Sequence, residues 1–108
     1  MIGIDDLCAL LDGLGVDWVN EQYANGEEPT PPYICLTAGY EETAYADNKA
    51  YARWMPYEIL LYTRTRDYAL EKRIAQALDD AECAYSKTIT HYDGEHLIEA
   101  SFSVSVTE

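Results

Sequence analysis

The sequence predicts an α+β domain, in which a mainly antiparallel sheet has two helices packed on one face and a C-terminal β-hairpin. A run of strand length, a short loop and a helical stripe follow one another within residues 56–81, and the chain closes on a strictly alternating strand. A helical stripe and two shorter apolar runs come before them. A chain of 108 residues forms one domain and buries roughly two-thirds of its unfolded surface, which is enough for a core without disulfides or metal. We therefore expect residues 1–108 to form a single domain.

The start of the chain predicts a helix and then a strand. Residues 2–14 have apolar side chains at three- and four-residue steps, with acidic residues in the first turn and glycine at the end. The stripe comprises Ile4, Leu7, Leu11 and Leu14. Residues 16–23 predict a strand with Val16 and Trp18 on the same face.

A loop and a short strand follow. Residues 25–32 combine an Asn-Gly pair with three prolines, which remove backbone donors and favour a turn. The loop is expected to cross the edge of the sheet. Residues 33–37 are apolar apart from the last one and predict a short buried strand.

Residues 39–54 are the most aromatic and least regular segment of the chain. Asp47-Asn48 favours a turn, and Tyr45 and Tyr51 are placed to pair across it. We expect a projecting hairpin or a long loop here. Such a projection on a rigid scaffold is a common place for contacts with partners.

The central strand and the clearest helix come next. Residues 57–63 hold Ile, Leu and Tyr in a run typical of a strand that is covered on both faces. Residues 68–81 place apolar side chains on one helical stripe. Asp67 stands at the N-cap position, where its carboxylate can accept from the free amides of the first turn.

The C-terminal hairpin is predicted by two signals. Between 98 and 107, apolar and polar residues alternate, which is typical of a half-exposed strand. Asp93-Gly94 is the favoured pair for a two-residue type I′ turn, and that turn would set three cross-strand pairs. These pairs are His91 with His96, Ile89 with Ile98, and Tyr85 with Phe102. Lys87 is the one residue that does not suit the resulting apolar face.

The charge distribution limits the functions that the chain can have. The net charge is −13, and no Lys or Arg precedes Lys49. Six of the seven basic residues fall within 49–73. A nucleic-acid-binding groove is disfavoured because phosphates require a concentrated positive surface, and no stretch approaches the ~20 apolar residues of a membrane span. The three separated cysteines predict reduced, mostly buried thiols in an intracellular protein.

No catalytic, cofactor-binding or metal-binding residue is predicted. The strongest candidate is the pair His91 and His96, which the expected turn would place side by side. A zinc site needs three or four protein ligands, so we interpret the pair as solvated histidines at a hairpin tip. No glycine-rich phosphate loop, nucleophile elbow or convergent polar cluster occurs, and an enzyme is disfavoured.

Several short motifs resemble those of a known family. They lie in the aromatic segment, the central strand, the following helix, the proline-rich loop and the last strand. These are Tyr45-Ala46-Asp47-Asn48, Tyr57-Glu58-Ile59, Leu61-Tyr62-Thr63, Glu71, Ile74, Pro31 to Tyr33, and Glu99. Together they resemble the tail-terminator (tail-completion, minor tail) proteins of bacteriophages with long, non-contractile tails. The resemblance extends from about residue 4 to 106, although this chain departs from the pattern in its acidic first half and its tight Asp93-Gly94 turn.

The resemblance implies a structural role and no enzymatic activity or cofactor. Family members are α+β domains that form oligomeric rings, typically hexamers, which cap the finished tail tube. The ring contacts the tail tube protein and the head connector, and DNA passes through its lumen without specific binding. A location in the virion tail, after assembly in the host cytoplasm, is implied, with no membrane association.

A ring also requires each subunit to join two unlike surfaces. We expect the acidic first half to face the basic 49–73 segment of a neighbour. The predicted interface residues are Tyr45, Asp47, Asn48, Tyr51, Arg53, Arg64 and Arg66. Two alternatives stay open. One is a different head-tail joining or minor tail protein, and the other is an acidic DNA mimic that inhibits a DNA-binding protein.

Overall fold

The computed structural model describes residues 2–24, 26–38, 42–46 and 49–107. Within 42–46 and 49–54, and at Thr107, it is the backbone that is described. The helices and strands are α1 (Ile4–Asp12), β1 (Asp17–Asn20), β2 (Tyr33–Ala38), β3 (Glu42–Ala46), β4 (Lys49–Thr63), α2 (Tyr68–Asp80), β5 (Tyr85–Tyr92) and β6 (Leu97–Thr107).

The strands form one mostly antiparallel sheet. Its main order is β1-β2-β4-β6-β5, and β3 pairs with the first part of β4. The β1–β2 pair is parallel, whereas β2, β3 and β6 all run antiparallel to β4. The predicted α+β class, with a C-terminal strand pair, is confirmed.

The core lies between the two helices and one face of the sheet, here called the inner face. Leu7 and Leu11 of α1, and Ile74 and Leu78 of α2, have no exposed surface. They pack against fully buried sheet residues such as Phe102. Full burial of each such side chain contributes roughly 1.5–3 kcal/mol. The expected packing of both helices on one face is therefore confirmed.

Local signals set the ends of both helices. The predicted N-cap of α2 is confirmed, since the Leu70 amide donates to the Asp67 carboxylate at 3.0 Å. The first helix is shorter than the predicted 2–14. It begins after Gly3, whose amide donates to the Asp6 carboxylate at 3.4 Å. The guanidinium of Arg73 donates to the Leu14 carbonyl at 2.8 Å and ties α2 to the end of α1.

The central strand is confirmed as central, but the expectation that both its faces are covered is wrong. β4 is flanked by β2 and β6. Its inner face places Ile59 and Leu61 in the core, with at most 1% of their surface exposed. On the other face, here called the outer face, Glu58 is exposed and Leu60 is half-buried. Short apolar runs do not distinguish full from one-sided coverage, and both described helices lie on the inner side.

The predicted hairpin register is wrong by two residues. Instead of a two-residue turn, Asp93–Glu95 form one turn of 3-10 helix and His96 adopts a left-handed backbone with φ 52°. Consequently Ile89 pairs with Ala100 rather than Ile98, and Tyr85 pairs with Val104 rather than Phe102. A two-residue shift leaves every side chain on its predicted face, so the predicted faces are correct.

Candidate functional site

A hairpin extends beyond the rest of the sheet and is called here the hairpin arm, residues 42–46 and 49–53. The pairing of β4 with β6 begins only at Trp54, and its pairing with β2 begins at Tyr57. In the described sheet, the strands of the arm therefore pair only with each other. This agrees with the projecting hairpin that the sequence predicted as one of two possibilities.

The arm brings three of the predicted interface residues together, but not in the predicted arrangement. Tyr45 pairs with Ala50, and a register shift next to Tyr45 leaves Tyr51 as the unpaired residue of a bulge. The expected cross-strand pair of Tyr45 and Tyr51 is therefore wrong. Arg53 lies on the same arm, opposite Thr43. Asp47 and Asn48 lie outside the described residues.

The remaining two predicted interface residues, Arg64 and Arg66, lie at the other end of β4. Eleven residues separate Arg53 from Arg64 along the sequence, which is about 35 Å of extended strand. The basic segment 49–73 is therefore not one patch. Its arginines are spread along the subunit, and the expected pairing of the acidic first half with this segment stays a prediction.

Arg66 is bound within its own chain by a buried carboxylate. Its Nε and one terminal nitrogen each donate to Glu71 of α2 at 2.9 Å. Lys87 of β5 approaches the same carboxylate to 2.6 Å. Lys87, which did not suit the predicted apolar face, is explained by this contact. The exposed Arg64 is thus the better interface candidate of the two arginines.

The electrostatics of this ion network favour the charged form of Glu71. The Glu71 side chain is only 2% exposed. Burial by itself raises the pKa of its carboxyl group, but the hydrogen bonds from Arg66 and Lys87 outweigh burial and leave the pKa below its usual value. The network fastens the start of α2 to the edge of the sheet. Its role is structural.

A second polar cluster lies on the outer face and was not predicted as a unit. The rings of Tyr23, Tyr33 and Tyr62 form a chain with centroids 5.5 and 5.2 Å apart. The hydroxyls of Tyr62 and Tyr92 both donate to the Glu99 carboxylate, at 3.0 and 3.2 Å. Burial, and then the bond to Glu99, raise the pKa of the Tyr62 phenol far above its usual value.

The predicted coverage of both faces of residues 57–63 would bury Tyr62, yet this residue lies on the outer face and is half-buried. The cluster depends on pairing between strands that are distant in the sequence, as in the rung of Tyr33, Tyr62 and Glu99. Periodicity within one segment could not reveal it. The cluster supplies hydrogen-bonding groups and aromatic area, which are features of contact surfaces.

The histidine pair does not form as predicted. His91 lies opposite Ile98, and His96 occupies the left-handed position of the turn. In the described ranges, no group of three or more His, Cys, Asp and Glu side chains is placed to hold a metal ion. All three cysteines are free, with Cys35 and Cys83 buried.

A groove of about 790 Å³ crosses the sheet near the base of the arm. Its polar lining consists of hydroxyls and carboxylates, including Glu58 and Ser103, 3.5 Å apart. No His, Cys, Lys or Arg is among the residues that line this groove. No described helix is long and apolar enough to cross a membrane.

Comparison of the sequence with models of known protein families finds no match, and comparison with functionally characterised proteins finds no similar chain. The features of this protein that bear on function are the arm, the two faces of the sheet and the distribution of charge.

Proposed function

We propose that the protein is a structural component of a bacteriophage tail that assembles into a ring. The ring closes the tail tube, as in the tail terminators that the sequence resembles, and offers a surface to the head connector. The observation that supports this proposal most directly is the hairpin arm.

The structure of the arm favours contact with a partner protein. A two-stranded hairpin without further support is marginally stable in water at best. The described part of the arm gains no pairing from β2 or β6. A second protein surface would supply the missing support, and a neighbouring copy in a ring is the simplest source of one. The overall dimensions of 50 × 29 × 21 Å are those of an elongated subunit.

The charge supports a role next to DNA without binding to it. Asp5, Asp6 and Asp12 are exposed on α1, and the whole chain carries −13. A lumen lined by such a surface repels phosphates and lets DNA pass without adhering. The proposed partners are therefore a second copy of this chain, the tail tube protein and the head connector.

Removal of the arm tests the proposal. Glu42 and Trp54 are cross-strand partners, so an Asn-Gly turn replacing residues 43–53 would close the hairpin at its base. Native mass measurement and electron microscopy of the intact chain should show rings, alone or on purified tail tubes. The shortened chain should be monomeric under the same conditions.

The thermal midpoint of the shortened chain provides the control, measured at a dilution where the full chain is also monomeric, because assembly raises the midpoint. Under these conditions an intact α+β core should unfold within a few degrees of the full chain. Rings formed by the shortened chain would contradict the role of the arm. A full chain that stays monomeric both free and with tail tubes would overturn the proposal. If that monomer instead bound a DNA-binding protein in competition with DNA, the DNA-mimic alternative would replace it.

A further inference from the structure

We propose that the open edge of β5 in one copy pairs with β3 of the arm from the neighbouring copy, so that the sheet of one subunit is extended by a strand of the next. This inference depends on the ring assembly proposed above and names its interface. The partner is a second copy of this chain, recognised through backbone hydrogen bonds along a strand.

β5 provides a regular and uncovered edge. It is the last strand in the sheet order, and it pairs with β6 at all eight positions without a register shift. On its other side, no described strand pairs with it. The segment Tyr85–Tyr92 contains no proline or glycine and no carboxylate. Natural proteins usually protect such edges with charges, prolines or bulges, because an unpaired edge is a template for another strand.

The one charge on β5 is neutralised within the subunit. The Lys87 side chain lies on the inner face, opposite Phe102. There it is held by Glu71 at 2.6 Å. The outer-face residues of β5 in the middle of the strand are Thr88 and Thr90, which are uncharged.

The arm provides the complementary edge. β3 pairs with β4 on one side, and no described strand pairs with its other side. β3 has five residues and β5 has eight, so every residue of β3 can pair with β5. In the sequence 42–53, two acidic residues (Glu42, Asp47) balance two basic residues (Lys49, Arg53), so this segment has no net charge in a chain of −13. Copies that repel one another elsewhere can approach here.

The remaining edge strand is a poorer template. β1 has only four residues, and it is followed by Glu21, whose φ is 70°. Pairing of β5 with an arm joins two unlike surfaces, which is the arrangement that produces a ring when its rotation closes. Pairing of β5 with β5 of a second copy would instead give a symmetric dimer and no ring.

A lysine at the edge tests the pairing. The exposed Thr88 lies on the outer face of β5, and the exposed Ser103 lies on the same face of β6, inside the sheet. T88K should raise the concentration needed for assembly by about tenfold or more, since an edge lysine blocks strand pairing. S103K introduces the same charge away from the edge and should assemble like the unmodified chain. Equal loss in both variants, or loss in neither, would overturn the inference.

Cross-linking then identifies the strand that meets β5. Neighbouring strand residues point to opposite faces, so T43C and A44C together sample both orientations of β3. The tests use a C8S background, because Cys8 is a free thiol that is not buried. Under mild oxidation, T88C combined with one of them should give a ladder of disulfide-linked copies on a denaturing gel. The single variants should give none. A dimer from T88C alone would show β5–β5 pairing and refute the inference.

These experiments distinguish a failure of the proposed ring from a failure of the proposed pairing between β5 and the arm. Rings that persist without any ladder, and that T88K leaves unchanged, would overturn the arm–edge contact and leave the ring intact. Absence of any assembly by the unmodified chain would overturn both.

Discussion

The Glu71 network predicts that removing its two cations destabilises the fold more than removing all three charged groups. In R66M/K87M, the Glu71 carboxylate keeps its position, where 2% of the side chain is exposed, but loses the three contacts of 2.6–2.9 Å that neutralise it. Leaving a buried charge without its partners lowers the free energy of unfolding by about 3–5 kcal/mol. We expect the double variant to lose an amount at the lower end of this range, because the side chains of Arg66 and Lys87 are 27% and 34% exposed and water reaches the edge of the site.

The triple variant R66M/K87M/E71L should recover most of this loss. Replacing a complete buried ion cluster with apolar residues of similar size is often close to neutral, so we expect it within about 1 kcal/mol of the unmodified protein. A loss of about 3 kcal/mol in the double variant should lower its thermal midpoint by about 12–15 °C. Calorimetry at a protein concentration where all the variants are in the same oligomeric state measures the difference.

The pH dependence checks the cause. In the unmodified protein, the lowered pKa of Glu71 means that its contribution is complete above the usual carboxyl pKa of about 4.3 and is lost as the pH falls through the lower folded value. In R66M/K87M only burial remains, which raises the pKa. In the double variant, Glu71 therefore holds a proton more tightly in the folded state than in the unfolded state. As the pH is lowered from 7 to 5, the free energy of unfolding of R66M/K87M should increase relative to that of the triple variant. Equal stability of the two variants at pH 7, or the same pH dependence, would refute the argument.

Two further predictions concern single contacts. In E99Q, the Tyr62 phenol should ionise at a lower pH than in the unmodified protein, yet still above its usual value, because burial is the larger cause of its raised pKa. Since Tyr92 also donates to Glu99, the alkaline absorbance titration compares Y92F with Y92F/E99Q, and two identical curves would contradict the assigned hydrogen bond. D67A removes the N-cap of α2 and should cost about 1 kcal/mol in denaturant unfolding. The control D79A, at an exposed position in the same helix, should stay within about 0.5 kcal/mol; equal losses would show that the cap contributes nothing.

The fold was predictable where one short segment contains the whole signal. A helix with apolar residues on one stripe must bury that stripe, and Leu7, Leu11, Ile74 and Leu78 all do so. The N-cap at Asp67 is equally local, because its carboxylate bonds an amide only three residues ahead. The alternation in β6 likewise identified its buried face without knowledge of any partner strand.

The register of the last hairpin was not predictable from the same alternation. Pairing Ile89 with Ile98 or with Ala100 puts the same residues on the inner face, because the side-chain period of a strand is two. Only the turn could decide between them. Asp93-Gly94 favours a two-residue turn, but the 3-10 turn continues through Glu95 and His96 accepts the left-handed conformation.

The candidate site was predictable only in its local part. A projecting hairpin was one of the two expected possibilities for the arm, because its turn and both strands lie within one segment. Glu71, in contrast, receives Arg66 from before its helix and Lys87 from a strand that follows. The polar cluster on the outer face likewise joins Tyr33 of β2, Tyr62 of β4 and Glu99 of β6, which are distant in the sequence. Such contacts depend on strand order, which the sequence pattern of each segment does not contain.

Lys87 connects the ion network with the proposed interface. A lysine in the middle of an edge strand is one of the devices that prevent strand pairing. Here the ammonium is drawn to the inner face, where Glu71 neutralises it, and the ring of Phe102 lies 5.7 Å below. Because Glu71 neutralises this ammonium within the subunit, we expect Lys87 to oppose the approach of another strand less than an unpaired edge lysine would. The carboxylate that fastens α2 to the sheet would then also favour the proposed pairing at β5.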